Sequence, residues 1–193
     1  TAAQAKVDAV KAELDKAVAL LKDKGNTEGL EAAKNELKTA TEATNVTDGK
    51  TTESADKYNE AKTAAEAVVK EAEGVIADVN STTEDVANAL TKVNAAKAVL
   101  DDAKSKLVEA ATADEKAKLK ADSEALKKAD TRGKTPNSID AYNTKFEALK
   151  TQLEAAKTEA EKVLAKENNA TKEEVTAAQA KVDAVKAELD KAV

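Results

Sequence analysis

The sequence IDAYNTKFEALKTQLEAAKTEAEKV, residues 139–163, is the stretch that decides the fold. Its apolar residues recur with the spacing 3, 4, 3, 4, 3, 4, 3. Residues three and four apart lie on one face of an α-helix, so this spacing predicts one long helix with a single apolar seam. The seam residues are Ile139, Tyr142, Phe146, Leu149, Leu153, Ala156, Ala160 and Val163.

The same periodicity extends over most of the chain and is interrupted by helix start and stop signals. Ser81–Glu84, Thr112–Glu115 and Thr171–Glu174 each have the spacing of a capping box, in which a hydroxyl and a carboxylate bind the free N–H groups of the first turn. Pro136 fits a first helical turn, and Gly25 and Gly49 fit connections. The predicted helices are 1–23, 27–43, 52–79, 82–110, 113–129, 136–167 and 171–193.

The composition excludes most site chemistry. The chain has 193 residues with 31 Lys+Arg, 37 Asp+Glu and a formal net charge of −6, and it contains no Cys, His, Met or Trp. Disulfides and His or Cys metal sites are therefore excluded, and most nucleophile–base pairs lose their usual base. We expect no catalytic residue, no cofactor and no metal site.

Charge and hydropathy also limit the partners of this segment. No run of about 18 apolar residues exists, which argues against membrane insertion. The acidic balance and the dispersed Lys residues argue against a nucleic-acid partner. Because the sequence starts within a helical pattern and without a signal-peptide pattern, we expect it to be part of a longer chain.

An internal repeat dominates the sequence. Residues 1–18 and 176–193 both read TAAQAKVDAVKAELDKAV, which gives a period of 175 residues. Within one period, 54–59 resembles 138–143 at an offset of 84, and 93–103 resembles 182–192 at an offset of 89. Each period therefore holds two diverged modules, and the extra residues of the second copy amount to about one helical turn.

These observations predict an all-α fold of tandem three-helix-bundle modules, in the order long, long, short, joined into an elongated rod. Residues 1–44 are interpreted as the trailing part of a preceding module, 52–129 as a complete module and 136–193 as the leading part of the next. Such arrays stack modules that each contact only their neighbours, so neighbouring modules of the same chain are the expected partners.

The motif TPNS-x-x-x-Y…NNATKEEV-x-x-A-x-x-V-x-A-x-x-x-L at 135–189 resembles the FIVAR repeat of Gram-positive surface proteins. The stretch 52–107 is similar, with NSTTEDV in place of NNATKEEV. The resemblance implies three-helix bundles in a secreted protein that is tethered to the cell wall. It also implies a role in adhesion to host matrix, in binding of albumin or fibronectin, or in biofilm and envelope integrity.

Several residues are candidates for a binding or catalytic site. The acidic pairs Asp101–Asp102, Glu84–Asp85 and Glu173–Glu174 could be general acids or metal ligands, but a solvated face or a first helical turn explains them better. Tyr58 and Tyr142 could anchor a ligand, although both fall on apolar seams where core packing is the simpler interpretation. Phe146 is predicted to be a core residue.

Two further kinds of feature lie in the predicted connections. Asn45–Thr47, Asn80–Thr82 and Asn169–Thr171 are formal glycosylation sequons, and for the last two helix capping is the preferred interpretation. Arg132–Lys134 could be a basic contact point or a hinge between modules at 130–136, and a flexible linker is the simpler interpretation.

Three functions remain open on the sequence. The first is a stalk or spacer of a bacterial cell-surface adhesin, located outside the cell and attached to the cell wall. The second is a module that itself binds fibronectin, another matrix protein or albumin from the host. The third is a cytosolic coiled-coil scaffold. An enzyme has little support, because no nucleophile–base pair, phosphate loop or metal set is visible.

Overall fold

The computed structural model describes residues 2–191, and the fold in this range is all-α, as predicted. Seven α-helices and one short 3-10 helix, Glu167–Asn169, account for the regular structure of the described residues. The α-helices are α1 (Ala2–Ala19), α2 (Glu28–Thr41), α3 (Thr52–Ala77), α4 (Thr83–Ser105), α5 (Ala113–Ala125), α6 (Pro136–Leu164) and α7 (Lys172–Asp190).

The chain divides into two compact units. The first contains the described residues up to Val46 together with Asn59–Ser105. The second contains Thr47–Tyr58 and the described residues from Lys106 onward. Each unit is built around a short helix and two longer ones, which is the bundle-like packing that the sequence predicted.

The core of the second unit lies between α5, α6 and α7. The predicted seam of α6 forms one side of it: five of its eight residues are buried, and Phe146 and Leu149 are partly buried against the same core. α6 has 29 residues and α7 has 19. The buried residues of α7 are Val175, Ala178, Val182, Val185 and Leu189.

The first unit contains α1, α2, α4 and most of α3. α2 packs on α4, and an ion pair of 2.8 Å between Glu71 and Lys92 joins α3 to α4. Leu30 and Leu37 are fully buried, and so are Leu119 and Leu126, which stand 89 residues further along the chain. The repeat offset read from the sequence therefore connects residues with the same burial.

The helix order within each unit differs from the predicted order. The module predicted at 52–129 placed its short helix last, whereas the short helix α5 packs on α6 and α7, which follow it. The order in the second unit is therefore short, long, long. A repeating pattern of one short and two long helices contains both orders, so periodicity cannot say which neighbours pack together.

The helices end a few residues earlier than predicted, and extended backbone pairing follows the ends of two of them, α4 and α1. α4 ends at Ser105 and not near residue 110, because Glu109 and Ala110 pair with Lys50 and Thr171. α1 ends at Ala19, and in the segment that follows it Lys24 pairs with Thr82. These short pairings connect helix ends that are distant in sequence.

Candidate functional site

The polar residues at the helix starts form the most regular side-chain arrangement in the described residues. Thr112 accepts a hydrogen bond from the backbone N–H of Glu115, and the Glu115 carboxylate accepts from the N–H of Thr112. Thr171 and Glu174 form the same reciprocal pair at the start of α7. Both predicted capping boxes are confirmed.

The third predicted capping box, Ser81–Glu84, is wrong by one residue. Thr82 and Asp85 form the reciprocal pair, with the Asp85 carboxylate accepting from the Thr82 N–H at 2.9 Å. Ser81 is buried, and its hydroxyl donates to the carbonyl oxygen of Val75 at 2.7 Å. Because the end of α3 uses the Ser81 hydroxyl, the next residue caps α4.

The capping carboxylates have lowered pKa values. Hydrogen bonds from the side chain and backbone of Thr82 lower the pKa of Asp85, and the backbone hydrogen bond from Thr112 is the main cause at Glu115. At Glu174, the ammonium group of Lys166 lowers the pKa most, followed by the Thr171 backbone. Hydrogen bonds to a carboxylate favour its charged form, so these groups are suited to binding N–H groups and not to proton transfer near neutral pH.

The acidic pairs of the sequence analysis therefore serve helix starts and ion pairs. Glu84–Asp85 and Glu173–Glu174 lie in the first turns of α4 and α7, as expected from the helix dipole. In the third pair, Asp101 binds Lys97 at 2.9 Å across one helical turn. Within residues 2–191, no three acidic side chains come together in a way that could hold a metal ion.

The two tyrosines are core residues, as predicted. Tyr58 and Tyr142 are 2% and 6% exposed, and burial raises the pKa of the Tyr58 phenol. The Tyr142 hydroxyl accepts a hydrogen bond of 2.7 Å from the backbone N–H of Ala129, which fixes the connection before α6 to the helix. Phe146 stacks at a tilt on Tyr142 and is partly buried, with the Lys128 ammonium 5.8 Å from its ring centre.

The sequon asparagines take part in backbone structure. Asn169 accepts a hydrogen bond of 2.9 Å from the N–H of Glu53, so it caps the start of α3 from 116 residues away. Asn45 lies in the left-handed region, with φ 60°. Asn80 donates its backbone N–H to the Asp78 carboxylate at 2.9 Å in the turn between α3 and α4. Capping by Asn169 agrees with the preferred interpretation, although the helix is not the one next to it.

Arg132–Lys134 lies between α5 and α6, two helices of the same unit. The repeat pattern predicted a position between modules, which is wrong because both flanking helices belong to the second unit. Arg132 binds the Asp130 carboxylate through its Nε atom at 2.8 Å, and Gly133 has a φ of +77°, which favours glycine. The segment is thus a turn within the second unit, held in shape by its own ion pair.

A backbone ladder in the second unit was missed by the sequence analysis. It consists of residues 49–51, 108–111 and 170–172. The central segment is bonded on both sides: Thr51 N–H donates to Val108 O at 2.8 Å, and Ala111 N–H donates to Ala170 O at 2.9 Å. Two further bonds, from Ala110 to Gly49 and from Lys172 to Glu109, complete the ladder at 2.9 and 3.0 Å.

A smaller pairing of the same kind occurs in the first unit. The N–H of Gly25 donates to Ser81 O at 3.0 Å, and the N–H of Thr83 donates to Asp23 O at 3.1 Å. A Cβ atom at Gly25 would lie 2.4 Å from a methyl carbon of Val86, so this close approach requires glycine.

The residue before a helix adopts extended geometry, and the Ala-Thr dipeptides at 111–112 and 170–171 were the available signal for the ladder of the second unit.

Contacts between α5, α6 and α7 set the register of the second bundle. Asp122 of α5 accepts from the Gln179 amide at 2.8 Å, and the Lys186 ammonium lies 3.7 Å from it. On the other side of α7, Lys181 pairs with Glu159 of α6 at 3.4 Å. Lys118 is the main cause that lowers the pKa of Asp122, followed by Gln179.

α1 presents the largest group of exposed apolar side chains that share one helix. Val7, Val10, Leu14 and Val18 are 59%, 70%, 61% and 56% exposed, and α1 has no buried residue. We call these four residues the α1 apolar face. Because lone exposed apolar residues are common but aligned groups are not, this face is a candidate interaction surface.

The described helices include none with the combination of length and apolarity needed to cross a membrane.

The family model described as the FIVAR domain matches the chain twice, at residues 33–101 and 122–190. The two matches are 89 residues apart, which is the offset found between residues 93–103 and 182–192. No solved structure matches the chain.

Proposed function

Because this chain belongs to the FIVAR domain family, whose members are found in cell-surface proteins, we propose that it is a stalk or spacer region of a bacterial cell-surface adhesin. The proposal places it outside the cell, attached to the cell wall and projecting an adhesive tip or spanning the wall. The FIVAR domain is a repeat or binding type of domain and not an enzymatic one.

The observation that carries the proposal is the tandem repeat. Two FIVAR matches stand side by side, and an 18-residue sequence recurs without change after 175 residues. A stalk needs many similar units that fold independently, and near-identical repeats supply them. Selection for an individual binding site in each unit would not by itself keep 18 consecutive residues identical on all faces of a helix.

The local construction of each unit supports this role. A spacer needs stable bundles with soluble surfaces, and each unit has Leu and Val residues in its core and many exposed ion pairs. Helix starts are closed by capping boxes, and the backbone ladder adds hydrogen bonds between helix ends. We propose that tandem copies of these units form an elongated rod.

The proposal also includes a similarity to the repeat arrays of the giant staphylococcal extracellular-matrix-binding protein. This finer resemblance remains a prediction, and so does binding of a host protein. Both functions are compatible, because a stalk that carries weak binding sites gains affinity with copy number.

Surface display tests the stalk. Arrays of one, two and four 175-residue periods would be anchored on a bacterial surface beneath an epitope tag, and the height of the tag above the wall would be measured. We expect the height to grow in proportion to copy number, whereas a Gly/Ser linker of equal length should grow with about the square root of its length. A height independent of copy number would overturn the proposal.

Two solution measurements accompany this test. Small-angle scattering of the chain should give a radius of gyration well above the value of about 16 Å expected for a compact 193-residue protein. Surface plasmon resonance with fibronectin and with albumin tests direct host binding. Affinity for one of them that rises with repeat number would make the chain a binding module, and the display result would then decide whether it is also a spacer.

A further inference from the structure

The connections before α3 and before α6 have the same construction. Gly49–Ser54 reads GKTTES and Gly133–Ser138 reads GKTPNS, and we call them the first and the second corner. Each corner begins with a glycine in the left-handed region, at φ 67° and 77°. In each, the threonine hydroxyl donates to the serine three residues later, at 2.9 and 3.0 Å, and that serine hydroxyl donates to the threonine carbonyl oxygen, at 3.1 and 2.8 Å. The two corners therefore have the same local structure.

The first corner binds the extended segment that follows α4. Two backbone hydrogen bonds, one hydrogen bond to the serine hydroxyl and one ion pair join them. These contacts are Thr51 N–H to Val108 O at 2.8 Å, Ala110 N–H to Gly49 O at 2.9 Å, Val108 N–H to Ser54 Oγ at 3.1 Å, and Lys50 Nζ to Glu109 Oε1 at 3.7 Å. A corner of this construction is thus a binding site for an extended backbone segment.

The extended segment that follows α1 is built like the one that follows α4. Both segments make the same two bonds to the residues before the next long helix: Gly25 N–H to Ser81 O at 3.0 Å and Thr83 N–H to Asp23 O at 3.1 Å after α1, and Ala111 N–H to Ala170 O at 2.9 Å and Lys172 N–H to Glu109 O at 3.0 Å after α4. Counted from these bonds, Lys22–Lys24 correspond to Val108–Ala110. In the described part of the chain, only Val108–Ala110 also have a corner bonded to their other edge.

We propose that in a tandem array the second corner binds Lys22–Lys24 of the following period, as the first corner binds Val108–Ala110. We infer this from the bonds that correspond one to one, and not from the exposure of either segment. The expected contacts are Thr135 N–H to Lys22 O, Lys24 N–H to Gly133 O and Lys22 N–H to Ser138 Oγ, with the Lys134 ammonium beside the Asp23 carboxylate.

The path of the chain agrees with this pairing. α6 and α7 are joined by a short turn and pack on each other, so α7 ends at the end of the bundle where α6 begins. Residues 1–18 recur as 176–193, so in an array the segment that leaves α7 has the sequence that leaves α1. The second corner directly precedes α6, and the segment therefore reaches it without a long connection.

The side chains of the two partners also agree. Lys134 and Asp23 have the charges of Lys50 and Glu109, which form an ion pair at the first corner. Pro136 has no N–H, but the residue at its position in the first corner donates no bond to the ladder, so the proline costs no contact.

A helix cap accompanies the pairing. Asn169 accepts from the N–H of Glu53 at 2.9 Å beside the first corner. Asn80 stands 89 residues before Asn169 and Asn137 stands 84 residues after Glu53, which are the two offsets of the repeat. Asn80 of the following period is therefore expected to accept from the N–H of Asn137 at the start of α6.

The pairing deepens the stalk function proposed above and rests on it, because only a repeat array supplies the following period. It specifies how one period is joined to the next: by backbone hydrogen bonds at the second corner, with the second unit of one period binding the first extended segment of the next. The register is set by the Gly-Lys-Thr corner, because its glycine carbonyl and threonine N–H are the two groups that bind the segment.

The test uses the whole chain, residues 1–193, followed directly by residues 19–105 of the next period. The second corner occurs once in this extended chain, and the sequence has no cysteine of its own. Facing residues of a non-hydrogen-bonded antiparallel pair have Cα atoms about 4.5 Å apart, which a disulfide can span. The cysteine pair is Lys134→Cys with Asp23→Cys in the added segment.

Two further pairs calibrate the cross-link. Lys50→Cys with Glu109→Cys is the reference pair, because these residues face each other in the ladder. Lys134→Cys with Lys22→Cys in the added segment is the matched control, because neighbouring side chains of an extended segment point to opposite faces. The test pair should oxidise at a rate similar to the reference and at least about tenfold faster than the control, and in denaturing urea the test and control pairs should react equally.

Hydrogen exchange provides a second measurement that needs no cysteine. The Thr135 N–H should exchange at least about tenfold more slowly in the extended chain than in the 193-residue chain. Lys24→Pro in the added segment removes the N–H that would bind Gly133 O and should abolish this protection, whereas Lys24→Ala keeps the N–H and should preserve it.

The proposal is overturned if the test pair oxidises no faster than the control pair in the folded chain, or if the Thr135 N–H exchanges equally in both chains. Either result leaves the stalk intact, because both units fold in the described chain without this pairing and the height of a surface tag can still grow with copy number. Conversely, an array that fails to raise the tag could still form the cross-link.

Discussion

α1 and α7 share a sequence and differ in burial, which shows that the sequence of a helix alone does not determine what packs on it. In the part of the shared sequence that the structure describes, Val182, Val185 and Leu189 are buried in α7, whereas the identical residues Val7, Val10 and Leu14 are exposed in α1. Even the local hydrogen bonds agree, because Gln4 binds Asp8 and Gln179 binds Asp183, each at 2.8 Å. The difference comes from packing on α5 and α6, and it makes α1 a control for substitutions in the shared residues 176–190 of α7.

The largest expected effect comes from a charge placed in the seam. Val182→Asp should destabilise the second unit by about 3 kcal/mol or more, because it removes packed methyl groups and buries an unpaired carboxylate. Val7→Asp, at the identical position of α1, should stay within about 0.5 kcal/mol because the side chain is exposed. Urea unfolding followed by circular dichroism measures the free energy of unfolding of each variant. Hydrogen exchange should show that the lost protection lies in α5, α6 and α7.

Equal losses at Val7 and Val182 would contradict the comparison, because they would mean that α1 is packed as α7 is. If Val7→Asp lowered the stability and Val182→Asp did not, α7 could not belong to the core of the second unit.

The next largest loss of stability is expected for a substitution at the start of α7. Thr171→Ala removes the hydroxyl that accepts from the Glu174 N–H at 3.1 Å, and a lost N-cap costs about 1 kcal/mol. Thr176→Ala is the control on the same helix. The Thr176 hydroxyl donates to the Lys172 carbonyl at 2.8 Å from an exposed position, and alanine there should be neutral or slightly stabilising.

Hydrogen exchange of the first turn of α7 measures this difference. Protection should fall in Thr171→Ala and persist in Thr176→Ala. If both variants lose protection equally, the capping box contributes nothing beyond ordinary helix propensity.

A smaller effect isolates one tertiary hydrogen bond. Gln179 and Gln4 make the same bond to the aspartate four residues later, and only Gln179 also binds Asp122. Gln179→Ala should therefore lower the free energy of unfolding more than Gln4→Ala does, by less than about 1 kcal/mol. The difference is small because the Gln179 carbonyl oxygen is buried without a partner, and its removal offsets part of the lost bond.

An Asp122→Ala background completes a double-mutant cycle for this pair. The extra cost of Gln179→Ala should vanish there, and an unchanged cost would show that the bond between Gln179 and Asp122 is not its source.

The seams and the helix starts could be predicted because they depend on neighbours in sequence. The 3, 4 spacing of α6 and the Thr-x-x-Glu starts at Thr112 and Thr171 are local patterns with local physical causes. Even the approximate positions of all seven helices follow from them.

Predictions from the sequence are wrong where a residue distant in the sequence competes for a hydrogen-bonding group or for a packing surface. Ser81 fails as the α4 cap because Val75 takes its hydroxyl, and α4 stops at Ser105 because the backbone ladder binds residues 108–111. The bundle order is another such case, since the repeat is equally consistent with α5 joining the preceding or the following helices. Asn169 capping α3 from 116 residues away leaves no trace in the local sequence.

The smallest expected effect is the pH dependence of the α7 start, which α1 cannot share because it has no acidic residue in its first turn. Lys166 and the Thr171 backbone lower the pKa of Glu174 below its usual 4.5 in the folded state. The folded chain then binds fewer protons than the unfolded chain, so the stabilisation is complete above about pH 4.5 and is lost as the pH falls through the lower folded value. Exchange protection of the first turn of α7 should decline over that range, and Glu174→Gln should flatten the decline while leaving the first turn of α1 unchanged. A decline of equal steepness in Glu174→Gln would assign the titration to another carboxyl, such as Asp122, whose pKa is also lowered and which accepts a hydrogen bond from Gln179 of α7.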